Sequence, residues 1–399
     1  MTTTYARTAL ILPLPTLAHI RDPTPYSHPI RIATWQTTQH LCIIFTHSAA
    51  LFADGGELGG ERRTAGWETV QRFLGCVYGF ASQECVRVGR VAMGVDVVVE
   101  GWSGDRGKSA SEGRWVEGEW DRVLGRVSYG FKATAGRKKS VQAIAFQSTL
   151  DRLVTSMALS CAEERDAEDV DLGIFVTPPS VPVTTIPALR PPGQPIIPAP
   201  HATTHSSPLQ VNGKYPVVAL GGTFDHLHAG HKILLSMAVW ITGRKLIIGV
   251  SADDLLVSKA HQEQLEPLEL RIQRTRAFLH RLEPRLEYDL VELSDVAGPT
   301  GTEADVQALV VSRESAGGAD AIAKIRAERN LPPIDVFVID VISSSADSPI
   351  PITDDGDEVD VAHSSLVGET DQQRLKEGKM SSSFIRKWLA EGGDGRQGQ

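Results

Sequence analysis

The chain has 399 residues, a formal charge of -9 at pH 7, and 41% hydrophobic against 22% charged residues. That length exceeds one typical core and points to two domains, while the acidic balance speaks against general nucleic-acid binding. No apolar run approaches the length of a bilayer span, so no membrane segment is expected.

In chain order, residues 1–165 read as an N-terminal domain, the smaller of the two and either α/β or α+β. Ala9–Leu14 and Leu41–Phe45 read as strands. Trp67, Val70, Phe73, Leu74, Val77 and Tyr78 mark one face of a helix, and Val91–Glu100 reads as a further strand. Gly101–Gly118 is rich in Gly, Ser and charge and reads as a mobile loop. Its Gly104-Asp105-Arg106-Gly107-Lys108-Ser109 shares part of a Walker A loop, but the first glycine of that motif would fall at Trp102, which excludes it. Arg137-Lys138-Lys139 reads as a solvated turn and Gln142–Leu159 as a closing helix. Nothing in this domain indicates its function. The cysteines Cys42, Cys76, Cys85 and Cys161 contain no Cys-x-x-Cys pair, which argues against a zinc ribbon or a thioredoxin-like motif and fits a reducing compartment. Residues 1–21 carry Arg7 and Arg21 and no acid, but Pro13 and Pro15 interrupt any amphipathic helix. A cytoplasmic location is expected, with a mitochondrial presequence as the alternative.

Residues 166–213 form a proline-rich linker, either a spacer or a ligand for aromatic grooves. Proline keeps such a stretch extended, so the two folded parts need not share a core. A second domain, 214–392, alternates strand with helix: strand Val217–Leu220, a helix burying Ile233, Leu234, Met237, Ala238 and Ile241 on one face, then strand Lys245–Val250. Helix Leu268–Leu282, strand Leu286–Leu293, strand Leu309–Val311, helix Ala319–Glu328 and strand Val336–Ile342 come next. Repeated units of this kind imply a doubly wound parallel sheet, with ligands outside the carboxyl ends of its strands. Residues 343–372 read as an acidic disordered insertion, a last helix starts at Met380-Ser381-Ser382-Ser383, and 393–399 form a tail.

The chemistry concentrates in residues 217–232, Val-Val-Ala-Leu-Gly-Gly-Thr-Phe-Asp-His-Leu-His-Ala-Gly-His-Lys. A buried strand runs into Gly221 and Gly222, and a helix opens behind them, so its N–H groups and dipole form an anion site. His228 and His231 lie three apart, on one face of the first helical turn, and Thr223 adds a hydroxyl. Two imidazoles there can stabilise charge that grows during reaction at phosphorus. Zinc does not suit the pair, since helical metal-binding histidines usually sit four apart. Asp225 reads either as metal-facing or as a cap of the following helix. His228-Ala229-Gly230-His231 matches the HxGH signature of the nucleotidylyltransferase superfamily, and Gly221-Gly222-Thr223-Phe224-Asp225 resembles the eukaryotic phosphopantetheine adenylyltransferases.

Three further stretches carry that resemblance. Ser381-Ser382-Ser383-Phe384-Ile385-Arg386 is similar to the superfamily's second signature, which holds the nucleotide's β- and γ-phosphates. Val250–Lys259 resembles the stretch whose lysine meets the acceptor's phosphate. Asp295–Gly301 and Val310-Val311-Ser312 are similar to the family's third and fourth strand exits. The resemblance covers about a third of the chain and stops short of the N-terminal domain. An arginine that it leads one to expect near Gly317-Gly318 is absent, leaving Arg313 or Arg326 to stand in.

The resemblance implies a Rossmann-like nucleotidyltransferase of coenzyme A biosynthesis that joins ATP and 4'-phosphopantetheine into dephospho-CoA and pyrophosphate. Thr223 and Lys259 would hold the acceptor phosphate, and His228, His231 and Lys259 would be catalytic. Gly221, Gly222, Thr223, Phe224, His228, His231, Ser381, Ser382, Ser383 and Arg386 would bind ATP, with Mg2+ carried on its phosphates. A stand-alone enzyme without a dephospho-CoA kinase is expected, docking other enzymes of the pathway, if any, through the N-terminal domain or linker. The rival readings are a CTP-dependent cytidylyltransferase, whose second signature Lys379–Ser383 does not supply, and a non-catalytic scaffold.

Overall fold

A computed structural model of the chain describes residues 4–46, 48–102, 212–295, 297–339 and 381–393, and the backbone of 122–125. The expected helix 142–159, the basic turn 137–139, nearly all of the linker 166–213, the insertion 343–372 and most of the loop 101–118 lie outside the described residues.

The N-terminal part is α/β, built on four parallel strands: β1 (Tyr5–Pro13), β2 (Thr37–Thr46), β3 (Gly94–Val99) and β4 (Arg122–Gly125), in the order β3-β2-β1-β4. Helix α1 (Ser27–Gln36) precedes β2 and α2 (Trp67–Arg87) precedes β3. Periodicity alone did not reveal α1, which carries Pro29 in its first turn. Proline is tolerated there because first-turn N–H groups have no intrahelical acceptor.

The second sheet has five parallel strands: β5 (Tyr215–Gly222), β6 (Thr242–Ser251), β7 (Glu287–Leu293), β8 (Ala308–Ser312) and β9 (Asp335–Ile339). Their order is β7-β6-β5-β8-β9, so strand order reverses between β5 and β8, as the doubly wound expectation requires. Among the described residues, helices α3 (Ala229–Ile241), α4 (Leu268–Leu282), α5 (Ala316–Glu328) and α6 (Ser382–Ala390) accompany it.

The two sheets repeat one plan. In each, the first four strands run third, second, first, fourth. Tyr5 pairs with Thr37 and Tyr215 with Thr242, with a register shift directly after each tyrosine. Tyr5 leads to Ala9-Leu10 as Tyr215 leads to Ala219-Leu220. Each second strand starts where a helix ends, on a buried threonine whose Oγ1 donates to a helix carbonyl: Thr37 to Ala33 at 2.6 Å, Thr242 to Ala238 at 2.7 Å.

The expectation that the two parts need not share a core is overturned, because one buried cluster runs from Ala9 through Trp102 to Trp240 and Ile339. Residues Lys232 to Ile241 of α3 are all buried, not one face of them, since α2 covers the face turned away from the second sheet. Trp102 Nε1 donates to Ser236 O at 3.0 Å and Trp67 Nε1 to Val338 O at 3.4 Å. Arg63 donates to the carbonyls of Trp102, Trp240 and Phe52, and its guanidinium lies 4.2 Å from the centre of the Trp240 ring. Burial of that charge lowers its pKa to about 10.

Candidate active site at the β5–α3 turn

β5 delivers Gly221 and Gly222 to the carboxyl edge of the sheet. A Cβ on Gly222 would stand 3.1 Å from the Phe224 ring, so the turn is closed around that phenyl group. Phe224 (φ 52°) and His226 (φ 44°) both take left-handed backbone, which non-glycine residues seldom adopt. Phe224 is fully buried, its ring 5.3 Å from that of His231, so it packs beneath the imidazole. Its expected place at the nucleotide is therefore corrected to one of support.

His228 caps α3 and does not sit within its first turn. Its Nδ1 accepts the Gly230 N–H at 3.1 Å, a bond that leaves the ring proton on Nε2. The His231 ring stacks against it at 4.0 Å between centroids and 27° between planes. The two imidazoles thus form one surface at the helix N-terminus, and the Gly230 N–H is spent on orienting the first of them.

The residue that fixes the surrounding loops was not among those expected at the site. Arg271 of α4 is fully buried; its guanidinium donates to Glu266 O at 3.0 Å, Thr223 O at 2.7 Å and Ser251 O at 2.9 Å, and pairs with Asp253. It ties the turns after β5 and β6 to one another. A charged residue at the spacing of Thr275, Phe278 and Leu282 on an inward helix face was the available signal.

Arg386 is also buried. It donates to Ala260 O at 3.0 Å and Ser383 Oγ at 3.2 Å, and it pairs with Asp225, whose other oxygen accepts the Glu266 N–H at 3.0 Å. Asp225 therefore neither caps α3 nor faces outward. These bonds make Arg386 a staple between α6 and the β5 turn, and it also borders the cavity. Ser381 caps α6 through the Phe384 N–H at 3.3 Å, and Ser382 Oγ donates to Asp225 O at 2.8 Å. Arg326 does not stand in for the absent arginine, since it is buried and donates to the carbonyls of Pro332, Thr300, Glu303 and Val306. Arg313 is exposed beside the site and is not among the residues lining it.

A cavity of about 610 Å³ opens at the point where strand order reverses. Gly221, Gly222, Thr223, His228, His231 and Lys259 line it from one side, and Ser381, Ser382, Ser383 and Arg386 from the other. The structure thus brings every expected site residue except Phe224 to one space. A further wall comes from α2 of the N-terminal part, through Gly75, Tyr78, Gly79 and Ser82, residues that the sequence did not single out as part of a site.

Magnesium fits poorly on the protein itself. Among the described residues, Asp225, His226 and Glu266 form the one group with metal-ligand character. Asp225 is committed to Arg386 and the Glu266 N–H, and Glu266 to Arg274 and the His226 N–H. A hard cation seeks oxygens not already committed to cations. Among the described residues no helix is long and apolar enough to cross a membrane.

A doubly wound parallel sheet, with stacked histidines at the helix N-terminus beside its switch point, defines a Rossmann-like protein of the nucleotidylyltransferase kind. Comparison with known proteins agrees: residues 219–387 match the family described as Cytidylyltransferase-like. The chain is 46% identical over 129 residues to the phosphopantetheine adenylyltransferase of Saccharomyces cerevisiae, a match covering 32% of this chain and 42% of that protein. It is 36% identical to the phosphopantetheine adenylyltransferase of Methanothermobacter thermautotrophicus, over 35% of this chain and 81% of that one. With the enzyme of that name from Methanopyrus kandleri it shares 33% identity over 40% of this chain and 93% of the relative. This chain belongs to the phosphopantetheine adenylyltransferase family. It spans less than half the length of the yeast relative and most of the length of the archaeal ones.

Proposed function

We propose that the chain transfers the adenylyl group of ATP to 4'-phosphopantetheine, giving dephospho-CoA and pyrophosphate. The observation that carries this reading is the stacked His228–His231 pair, 4.0 Å apart, in one cavity with Thr223 and Lys259 on its own side and the α6 serines across from it.

A phosphate oxygen of the acceptor is ionised near neutral pH and needs no general base. It attacks the α-phosphorus; the new O–P bond forms as the bond to the bridging α,β-oxygen breaks, and the electron pair leaves with pyrophosphate. Positioning and charge stabilisation are what the protein supplies. Thr223 and Lys259 hold the acceptor phosphate in line. Nε2 of His228 and the His231 ring face the α-phosphate, where negative charge builds up. The N-terminus of α6, with Ser381, Ser382 and Ser383, receives the departing pyrophosphate. Arg386 and Arg271 act one step back, by fixing the loops that carry these groups. Magnesium arrives on the ATP phosphates, where it neutralises charge. A cytoplasmic setting suits the free thiols Cys42, Cys76 and Cys85.

The test is pyrophosphate release by the purified chain with ATP or CTP, each with and without 4'-phosphopantetheine. Release is expected only from ATP and phosphopantetheine together. Release from CTP with a phosphorylated alcohol would replace the reading by a cytidylyltransferase, and a folded protein inert with every pair would make it a scaffold.

A further inference from the structure

The N-terminal part reaches the site indirectly through one carboxylate, as well as directly through the α2 wall. Asp96, on β3, is 3% exposed. Its Oδ1 lies 2.7 Å from Lys232 Nζ, and its Oδ2 lies 2.8 Å from His40 Nε2 and pairs with Arg281. Lys232 Nζ also donates to Val95 O at 2.7 Å.

These partners stand on α3, which lines the cavity, and on α4, which packs behind its loops. Lys232 follows His231 directly, and its backbone N–H makes a first-turn bond of α3, to His228 O at 3.0 Å. Arg281 stands on α4, the helix whose Arg271 fixes Thr223 O and Ser251 O. On the other side, Tyr78 Oη accepts the Val97 N–H at 3.1 Å, which ties β3 to α2, and Tyr78 and Ser82 border His228 and Ala229. Burial is the main cause that lowers the Lys232 pKa to about 7, and Asp96 is the carboxylate its ammonium pairs with. Removing one member of such a buried cluster leaves the others uncompensated.

We propose that Asp96 is a positioning residue for the transfer reaction, holding the helix that carries His228 and His231 in register with the cavity. The N-terminal part is then a required component of the active site. Asp96 acts through Lys232 and Arg281 and touches neither substrate, and its effect on turnover rests on the reaction proposed above.

The experiment compares full-length wild type with Asp96→Asn, Asp96→Glu and Lys232→Met, each checked for folding by circular dichroism. Pyrophosphate release and the carbon-bound proton signals of the His228 and His231 rings are read in parallel. Asp96→Asn is expected to lower kcat at least about ten-fold while both KM values stay within about three-fold, the pattern of a group felt at the transition state. Both ring signals move, and Asp96→Glu recovers part of kcat. A folded Asp96→Asn variant with kcat within two-fold of wild type, a loss confined to KM, or unmoved ring signals each overturns the proposal. Should Asp96→Asn fail to fold, Lys232→Met is expected to show the same kcat loss, and normal turnover in it overturns the proposal equally. A wild-type chain that releases no pyrophosphate refutes the reaction and not the positioning, which the ring signals still decide.

Discussion

The first strands of the two sheets match through Tyr5 to Leu10 and Tyr215 to Leu220, and then they part. One continues Ile11-Leu12-Pro13, the other Gly221-Gly222-Thr223. In the first, two branched side chains are buried where the second bends tightly, and Pro13 has no N–H to offer an anion. In the second, the turn wraps Phe224 and aims a helix N-terminus at the cavity. One plan therefore serves two ends, since chemistry lies in the site and not in the fold. The first sheet's part supplies a wall and a holder: α2 borders the cavity, and Asp96 pairs with Lys232 on the helix that carries His231.

The largest expected effect is at the histidines. His231→Ala should lower kcat by about 10²–10³-fold, the scale for removing one donor to developing charge, with an unchanged circular dichroism spectrum; near-normal turnover would remove chemistry from the second copy. Trp240→Ala tests whether the copies stand or fall together. Trp240 is buried against Phe52, Trp102 and Arg63, so the change should cost about 3–5 kcal/mol in one cooperative denaturant transition. Two separate transitions would mean two cores.

Arg271→Met leaves the carbonyls of Thr223, Ser251 and Glu266 without their donor, at about 1–3 kcal/mol each when they stay dry. Turnover should fall with stability, and a stable, fully active variant would deny Arg271 its part in the site. The smallest effect concerns pH. Burial, followed by the charges of Lys232, Arg281 and Arg7, lowers the His40 pKa to about 3. The unfolded chain then binds the extra proton between about pH 6.5 and 3, so stability falls as pH drops through that window. At pH 5 the loss should approach about 2 kcal/mol, at 1.36 kcal/mol per unit. His40→Gln should flatten this part of the pH–stability curve; an identical slope would show that His40 does not titrate in this way.

Much of the second copy was legible because its signals are local. Helix Leu268–Leu282 was read to the residue, and the glycine pair, the spacing of His228 and His231 and the serine cap of α6 are all short-range features. What escaped depends on contacts distant in sequence. The all-round burial of α3 comes from α2, and the fate of Arg386 from Asp225. Likewise Lys232 beside Asp96, and Arg271 under two loops, are buried charges whose partners no periodicity names. The repeated plan was present in the sequence as the two tyrosines and the two strand-opening threonines. It went unseen because Gly221 to Lys232, the most informative stretch of one copy, has no counterpart in the other.

On the proposed function, nucleotide binds at the second sheet and not at the first. Equilibrium dialysis of the full chain against ATP tests it most directly. One ATP per chain is expected, and Gly222→Val, which drives a side chain into the Phe224 ring, should abolish it. Two ATP per chain, or one that survives this substitution, would contradict the account.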